Sequence, residues 1–259
     1  MTDNLLIDEI MLRSFCESVL HSLMDDEVYI VMLAARKKYD DTLRRSTEML
    51  DTLILRDNSS DYIYRKLKKF LYVGEHDDIY YDNTAESNIP SKSMVAYIDI
   101  APKSTIKAFI KFTKDYLDRI YELHTNSIFG NSINVNNYRV FKKFTTNFFS
   151  CLAQSTSQRN HIIVDIDKKD KRLLKSTLNK IYNQFPKEEH NYIQWVSETR
   201  GGYHIILEYT KPLSEFLHKT IKPSSKYIEV NNKNTMTPIP GTLQGGFLVK
   251  GVNGSMLAL

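Results

Sequence analysis

The feature that most constrains the fold is a short apolar segment, residues 161–167, in which two acidic residues stand two positions apart. Asp165 and Asp167 alternate there with Val164 and Ile166. Side chains at alternate positions of a β-strand point to the same face of the sheet. The segment therefore predicts a strand with two carboxylates on one face and an apolar face that helices must cover.

Two interpretations of the aspartate pair are open. Carboxylates on one face can converge on one or two divalent cations, and burying both without a cation would be costly through repulsion and desolvation. Alternatively, the strand runs into solvent at residues 167–170, with Asp165 paired to a lysine.

A β-hairpin is predicted over residues 192–209, and its second strand contains a histidine. His204 falls on the less apolar face of that strand. Gly202 lacks a side chain, so a large anion could approach the backbone and reach the imidazole, and Arg200 could add a charge-assisted contact to phosphate. The alternative is an ordinary half-buried histidine.

A third acidic residue, Glu229, lies in a short β-prone segment between Ile228 and Val230. Residues 238–247 follow and are rich in glycine. They match neither a P-loop nor the dinucleotide-binding fingerprint, so a turn between two strands is the alternative interpretation.

Together these segments predict one sheet with a metal-capable face. That face would carry Asp165, Asp167, His204 and Glu229. The opposite face would pack on helices through Ile162, Val164, Ile166, Tyr203, Ile205, Leu207, Ile228 and Val230. A charged face with helices behind it suits nucleoside triphosphates and nucleic acid.

The first 90 residues are predicted to form a mainly helical region, and residues 91–259 the catalytic core. Apolar residues recur at helical spacing over residues 5–39, which indicates two helices, and the spacing continues through many basic residues to position 70. Residues 94–100 then indicate a buried strand that ends before a helix capped by Ser104.

The basic residues of the predicted helical region include Arg36, Lys66, Lys68 and Lys69. With tyrosines interleaved, they could follow the phosphates of a template strand and stack its bases. They equally fit a solvated helix surface whose long side chains pack their stems on the core.

Composition excludes several classes of protein. With 42% hydrophobic and 25% charged residues, the chain is typical of a soluble fold and not of a disordered one. It contains no apolar run of membrane-spanning length, and its polar N-terminus does not resemble a signal peptide, so we expect a cytoplasmic protein, at the nucleoid or a replication site. Cys16 and Cys151 are too far apart in the sequence for a CxxC-type zinc site, and the net charge of +4 permits a polyanionic partner without requiring one.

The order of the motifs resembles that of the archaeo-eukaryotic primase superfamily, the primase-polymerases. That family has an apolar strand ending in DxD or DxE, a strand with a small residue two positions before a histidine, and a third acidic residue on a short strand. The similar segments in this chain are Asp165-Ile166-Asp167, Gly202-Tyr203-His204 and Glu229.

Two further segments are similar to parts of that family. Residues 240–242, Pro-Gly-Thr, resemble a loop of the plasmid and phage members, and residues 101–104 resemble the NPRS turn, with Lys103 in place of an arginine. The family also carries an arginine near the third motif. Residues 235–240 contain none, so Arg200 or Lys250 would take its place.

The resemblance implies an α+β fold, with an RRM-like catalytic sheet backed by helices and a smaller αβ unit. It implies template-directed addition of an NTP or dNTP on single-stranded DNA with two divalent cations, Mg²⁺ or Mn²⁺, and a possible separate replicative helicase as partner. Asp165, Asp167 and Glu229 would be the catalytic metal ligands. His204, with Gly202 and Lys103, would contact the incoming nucleotide.

Two other functions are compatible with the residues. A two-metal nuclease could use the same carboxylates to activate water, although it would not need a histidine at a triphosphate. A non-catalytic nucleic-acid-binding protein could use an RRM-like sheet, but it predicts exposed aromatic residues where this sequence has acids.

Overall fold

Two larger antiparallel sheets and the helices that cover them give the chain an α+β fold in this computed structural model. The structure describes residues 5–57, 59–71, 81–82, 87–128, 143–157, 160–186, 191–232 and 235–252. The helices in these ranges are α1 (Glu9–Val19), α2 (Ser60–Leu71), α3 (Thr105–Ile128), α4 (Phe144–Gln154), α5 (Lys171–Gln184) and α6 (Lys211–Phe216). The strands are β1 (Glu27–Arg36), β2 (Thr47–Leu55), β3 (Tyr81–Asp82), β4 (Ser87–Asn88), β5 (Met94–Ser104), β6 (His161–Ile166), β7 (Ile193–Glu198), β8 (Tyr203–Glu208), β9 (Ile228–Asn231), β10 (Met236–Pro238), β11 (Leu243–Gln244), β12 (Phe247–Leu248) and β13 (Lys250–Gly251).

The first sheet has the strand order β10-β5-β1-β2, and all its pairs are antiparallel. One face packs on α1 and α2 in a core that includes Phe15, Val31 and Leu67. The other face packs on α3 and α4 through Ile30 and Ala108. Because β1 lies between β2 and β5, residues on both sides of position 90 share one sheet.

The prediction of a mainly helical region over residues 1–90 is wrong, because this range contains the two long strands β1 and β2 and the short strands β3 and β4. Both faces of β1 are covered, so nearly all of its residues are buried and its apolar run is continuous. Such a run satisfies helical spacing as well as strand spacing. The helices α1 and α2 do lie in this region, and the Asp8 side chain caps α1 by accepting a hydrogen bond from the N–H of Met11 (2.9 Å).

The strand predicted over residues 94–100 is present, but it continues through Ala101 and Pro102 to Ser104. The segment that resembles a turn is therefore the end of β5. As predicted, Ser104 caps the following helix, because its Oγ accepts a hydrogen bond from the N–H of Lys107 (3.1 Å).

The second sheet has the order β13-β7-β8-β6-β9 and is also antiparallel. Along the chain its elements run β6-α5-β7-β8-α6-β9, with a π-helical stretch, Leu217–Ile221, after α6. The eight apolar residues predicted for one face all pack in a single core with α5 and α6. The period-2 alternation is therefore confirmed for β6, β8 and β9.

The segment after β10 ties the two sheets to the N-terminal end of α1. The carbonyl of Gly241 accepts hydrogen bonds from the N–H groups of Ile7 and Asp8 (2.9 and 3.0 Å). Gly241 has φ +84°, and a Cβ there would lie 2.3 Å from the Asp8 carbonyl oxygen. The Pro-Gly-Thr segment is thus a close backbone contact with α1. Among the helices that the structure describes, none is both long and apolar enough to cross a membrane.

Candidate active site

One row of residues crosses the second sheet from edge to edge. Direct register partners place Gly251 beside Ser197, Ser197 beside His204, His204 beside Asp165, and Asp165 beside Glu229. Opposed residues of antiparallel strands project from the same face with Cβ atoms about 4.5–5.5 Å apart. The structure therefore places three of the predicted site residues, His204, Asp165 and Glu229, at adjacent positions on three neighbouring strands.

His204 is held between an acid of its own sheet and a hydroxyl of the other sheet. Its Nε2 lies 3.2 Å from Oδ1 of Asp165, and its Nδ1 lies 3.1 Å from Oγ1 of Thr237 on β10. An ionised carboxylate can only accept, so Nε2 is the donor to Asp165, and the tautomer decides whether Nδ1 accepts from the Thr237 hydroxyl or donates to it. The side chain is 12% exposed, so the ring is largely buried between these two partners.

Asp167 joins the row from just beyond the end of β6. Its N–H donates to the Tyr227 carbonyl (2.8 Å), which holds the turn against β9. Partial burial raises the pKa of the Asp167 carboxyl, and the negative charges of Asp165 and Glu229 raise it further. Three carboxylates thus repel one another at one place, which is the electrostatic condition that a divalent cation relieves.

Lys38, in the turn after β1, interacts electrostatically with this acidic group. Desolvation lowers the pKa of Lys38, and Arg36 and Arg200 lower it further, whereas Asp167 and Asp165 act in the opposite direction. Lys38 therefore lies within the electrostatic field of both the acids and two arginines. The site has an acidic side on the second sheet and a basic side formed by residues of the two connecting turns.

Arg200 is fixed at this boundary by an aromatic and glycine-rich network. Its guanidinium stacks on the ring of Tyr39 at 4.8 Å and donates to the Gly245 carbonyl, while its N–H donates to Oε1 of Gln244 (2.7 Å). Nε2 of Gln244 donates in turn to the Tyr39 hydroxyl (2.8 Å). A Cβ at Gly245 would lie 2.5 Å from the Tyr39 ring, so this stack requires glycine there.

Gly202 lies beside the acidic row, but its role in the structure is to permit close backbone packing. A Cβ at this position would lie 1.7 Å from the carbonyl oxygen of Ile166 and 2.7 Å from the N of Lys168. The residue is buried. The space expected for an anion at Gly202 is therefore filled by the chain that carries Asp167, which corrects that prediction.

Lys103 is not part of the site. Its ammonium group is 2.7 Å from Oδ2 of Asp99 and donates to Oγ1 of Thr156 (3.0 Å), and its side chain is 2% exposed. A charge that is enclosed and already paired is not available to a nucleotide phosphate. The prediction of a nucleotide contact rested on likeness to a turn, and the residue instead lies inside β5.

Lys250 also falls outside the site. Its register partner is Glu198, which is paired with Tyr203, and Tyr203 packs in the core on the helix-covered face of the second sheet. Because directly paired residues share a face, Lys250 projects from the side opposite Asp165. Of the two basic residues predicted to replace the missing arginine, only Arg200 lies at the acidic group.

The lysines of α2 are surface residues, which is compatible both with binding of a template strand and with a solvated helix surface. Lys66, Lys68 and Lys69 are exposed, and Lys68 forms an ion pair with Glu9 of α1 (2.8 Å). Arg36, at the end of β1, is close enough to Lys38 to lower the pKa of its ammonium group.

The acidic row occupies only part of its sheet face. Towards the other end of the strands, Ile163 and Ile206 belong to the core of the first sheet, and the ring of Trp195 packs edge-on against Phe15 at 5.5 Å. The expected charged face is therefore half covered, and the polar part opens at the end where Asp167 lies.

The donor set suits a hard divalent cation. Carboxylate oxygens are the ligands that Mg²⁺ and Mn²⁺ prefer, and after burial the negative charges of Asp165 and Glu229 contribute to the raised pKa of Asp167. Within the described ranges, no group of three or more His, Cys, Asp or Glu side chains is already gathered as a metal-binding cluster. Asp165, Asp167 and Glu229 fit such an ion by chemistry and by register.

Two residues of the site were not predicted from the sequence. Lys38 stands in a run of basic residues that was attributed to a helix, although the charge run itself was visible. Thr237 lies in a polar stretch with no distinguishing pattern, and only the pairing of β10 with β5 brings it to His204. The chain matches no protein-family model, no curated protein and no solved structure.

Proposed function

We propose that the protein is a template-directed nucleotidyltransferase of the primase-polymerase type, acting on single-stranded DNA. The observation that carries the proposal is the row of Glu229, Asp165 and His204 on adjacent strands, with Asp167 at its end and basic side chains opposite. Acids that repel one another beside cations are the arrangement that a metal-bound polyphosphate would neutralise on both sides.

The topology of the second sheet supports the same proposal. Its chain order, β6-α5-β7-β8-α6-β9, and its spatial order, with β6 and β8 in the centre, support the proposal of an RRM-like sheet. We interpret the first sheet with α3 and α4 as the smaller αβ unit. Thr237 on β10, at the edge of that unit, contacts His204, so the proposed site draws on both.

Each residue has a stated role. Asp165, Asp167 and Glu229 would hold Mg²⁺ or Mn²⁺, and a bound cation would lower the pKa of the attacking 3′-hydroxyl and neutralise charge on the leaving pyrophosphate. His204 would donate its Nε2–H to a phosphate oxygen, the same hydrogen that it donates to Asp165 in this structure.

The basic side chains would bind the phosphates of the incoming nucleotide. Lys38 and Arg200 come from two different turns, and the stack of Arg200 on Tyr39 fixes the guanidinium before a ligand arrives. A pre-positioned cation loses less conformational entropy on binding phosphate than a free one. Because the reaction uses intracellular nucleotides, we expect the protein in the cytoplasm, at the nucleoid or a replication site.

The experiment is nucleotide incorporation on primed and unprimed single-stranded DNA, with labelled NTPs and dNTPs in Mg²⁺ and in Mn²⁺. The proposal expects template-dependent products that require the divalent cation. Metal-dependent degradation of DNA by the protein, without added nucleotide, would identify a nuclease instead. DNA binding with neither reaction would identify a non-catalytic binding protein.

A further inference from the structure

A basic segment follows the last acid of the candidate site. Residues 168–172 connect Asp167 to α5 and contain three lysines, one arginine and one aspartate. Two of the lysines form ion pairs with acids, at 3.1 and 3.5 Å. The other two basic side chains, Lys171 and Arg172, are exposed, and neither has an ion pair within the described ranges. The segment therefore carries positive charge that is free to bind a ligand, directly beside the acids.

Helix stability does not explain these two charges. Lys171 and Arg172 lie in the first turn of α5, which contains no acidic residue. The N-terminal end of a helix carries a partial positive charge, so basic side chains there are unfavourable for the helix. A polyanion bound from outside would neutralise these side chains.

An exposed aromatic ring lies beside this segment. Tyr227 is 37% exposed, and the ammonium groups of Lys168 and Lys226 lie 5.3 and 5.2 Å from the centre of its ring. The carbonyl of Tyr227 accepts the N–H of Asp167 (2.8 Å), so the ring belongs to the residue that fixes the last acid of the site. Proteins bind single-stranded nucleic acid through aromatic rings on which bases stack, beside cations that bind phosphates.

A second ring continues this surface towards the basic side of the site. Nζ of Lys169 lies 3.6 Å from the centre of the half-buried ring of Phe247 on β12. The turn before Phe247 contains Gly245, whose carbonyl accepts a hydrogen bond from Arg200. Together these side chains form a basic-aromatic patch that consists of residues 168–172, Lys226, Tyr227 and Phe247. The patch adjoins the acids of the site at Asp167 and its cations at Arg200.

We propose that the basic-aromatic patch binds single-stranded DNA next to the site, with phosphates on its basic side chains and a base stacked on Tyr227. The class of ligand rests on the proposed function, whereas the position of the contact rests on the patch. Lysine stems are flexible, so Lys168 and Lys226 can exchange the ring for a phosphate. The bases of a duplex are already stacked on one another, so the ring favours a single strand. This contact is additional to the one predicted for the lysines of α2.

The test is binding of a fluorescein-labelled oligo(dT) of about 16 nucleotides to the full chain, measured by fluorescence anisotropy between about 50 and 200 mM salt. Nucleotide and divalent cation are left out, so that no catalysis contributes. Lys171→Gln with Lys226→Gln should weaken binding and flatten the log-log salt dependence by about 1.4, at roughly 0.7 for each lost phosphate contact. Both side chains are exposed, so the melting temperature should not fall.

The matched control removes two lysines that lie outside the patch. Lys180 is exposed in the second half of α5, and Lys211 is exposed in the first turn of α6, which follows β8. Lys180→Gln with Lys211→Gln has the same net charge as the patch variant. It should keep the wild-type salt dependence.

Replacing Tyr227 separates base stacking from charge. Tyr227→Ala should lower the affinity for the oligonucleotide roughly five- to a hundred-fold at every salt concentration, because stacking is lost, and it should leave the salt dependence unchanged. Tyr227→Phe keeps the ring and should bind like the wild type. The affinity for a duplex of the same length should be equal in Tyr227→Ala and the wild type.

An unchanged salt dependence in the patch variant would overturn the proposal, and so would equal flattening in the lysine control or wild-type affinity in Tyr227→Ala. These measurements are independent of the proposed activity. DNA binding through the patch without nucleotide incorporation would support this inference and remove only the proposed activity. Nucleotide incorporation by a protein whose patch variants bind the oligonucleotide normally would overturn only this inference.

Discussion

His204 and Asp165 lie directly opposite each other on β8 and β6, with Nε2 of the histidine 3.2 Å from Oδ1 of the aspartate. On its other side the imidazole contacts Thr237 of the first sheet. The orientation of the imidazole therefore depends on both sheets. We expect replacement of His204 to reduce nucleotide affinity more than replacement of its partner Thr237.

Replacing His204 tests its contact with the nucleotide. We expect His204→Ala to lose roughly ten- to a hundred-fold in nucleotide affinity, since one charge-assisted contact contributes about 1.5–3 kcal/mol. Metal binding through the carboxylates should persist. Calorimetric titration in the presence of Mn²⁺ measures the nucleotide affinity of the wild type and of His204→Ala. Equal affinities would show that His204 does not bind the nucleotide.

Thr237→Val serves as the graded control for that measurement. It keeps the imidazole and removes only the hydroxyl that contacts Nδ1, and such a hydrogen bond contributes about 0.5–1.5 kcal/mol. The expected loss of nucleotide affinity is roughly two- to ten-fold. A purely structural histidine would instead lower the melting temperature of both variants without changing affinity in the folded protein.

The two adjacent glycines of the β7–β8 turn should respond differently to alanine. At Gly202 a Cβ would lie 1.7 Å from the Ile166 carbonyl oxygen, and at Gly201 it would meet nothing within 4 Å. We expect Gly202→Ala to lower the free energy of unfolding by about 1–3 kcal/mol or more. Gly201→Ala should be close to neutral. Chemical denaturation of both variants checks this, and similar stabilities would contradict the close packing.

The stability of the metal-free protein should depend on pH through Asp167. Its pKa is raised, so the folded state holds the proton more tightly than the unfolded state, and stability is lost as the pH rises through the folded pKa. Asp167→Asn should therefore stabilise the protein at pH 7, by roughly 0.2–1 kcal/mol for relief of a like-charge contact. The gain should disappear below the unfolded pKa of about 3.9.

Asp170→Asn is the matched control for that prediction. Hydrogen bonds from the Leu173 backbone and from Lys168 lower the pKa of Asp170, so its negative charge stabilises the folded state. The substitution should destabilise the protein at pH 7, opposite in sign to Asp167→Asn. Thermal melts from pH 3 to pH 8 distinguish them, and the same sign for both would refute the repulsion among the three acids.

Replacing lysines in two parts of the structure should weaken the binding of two different ligands, the nucleotide and single-stranded DNA. Lys38→Ala should weaken nucleotide binding, because this ammonium lies in the field of Asp165 and Asp167. Lys66→Gln with Lys69→Gln should instead weaken single-stranded DNA binding and flatten its salt dependence by roughly 0.7 per lost phosphate contact on a log-log plot. Lys68 is kept because it pairs with Glu9. An unchanged slope would place the template elsewhere.

The second sheet could be predicted from the sequence because its strands are covered on one face and polar on part of the other. Asp165 and His204 interrupt apolar runs at period two, and that signal is local. The first sheet lacks it, because β1 is buried on both faces and its apolar run fits a helix equally well. Lys103 was misassigned because pairing with Asp99 inside a strand leaves no trace in sequence spacing.

The basic half of the site could not be predicted for a different reason. Lys38 and Asp165 are far apart in the chain, and they interact electrostatically because the two sheets pack together, with Ile163 and Ile206 in the core of the first sheet. Contacts between the two sheets have no local periodicity. The run of basic residues near position 36 therefore indicated a basic surface, but it did not indicate that this surface lies near the acids of the second sheet.

The most direct test of the proposed activity is nucleotide incorporation on primed single-stranded DNA in Mn²⁺ by the wild type and by Asp165→Ala with Asp167→Ala. The matched control is Glu215→Gln, which removes an exposed acid of α6 that pairs only with Lys219 among the partners described. Template-dependent extension by the wild type and the control, abolished in a folded double variant that has also lost stabilisation by Mn²⁺, is the predicted result. Full extension by the double variant would contradict the assignment of these two aspartates as the catalytic metal ligands.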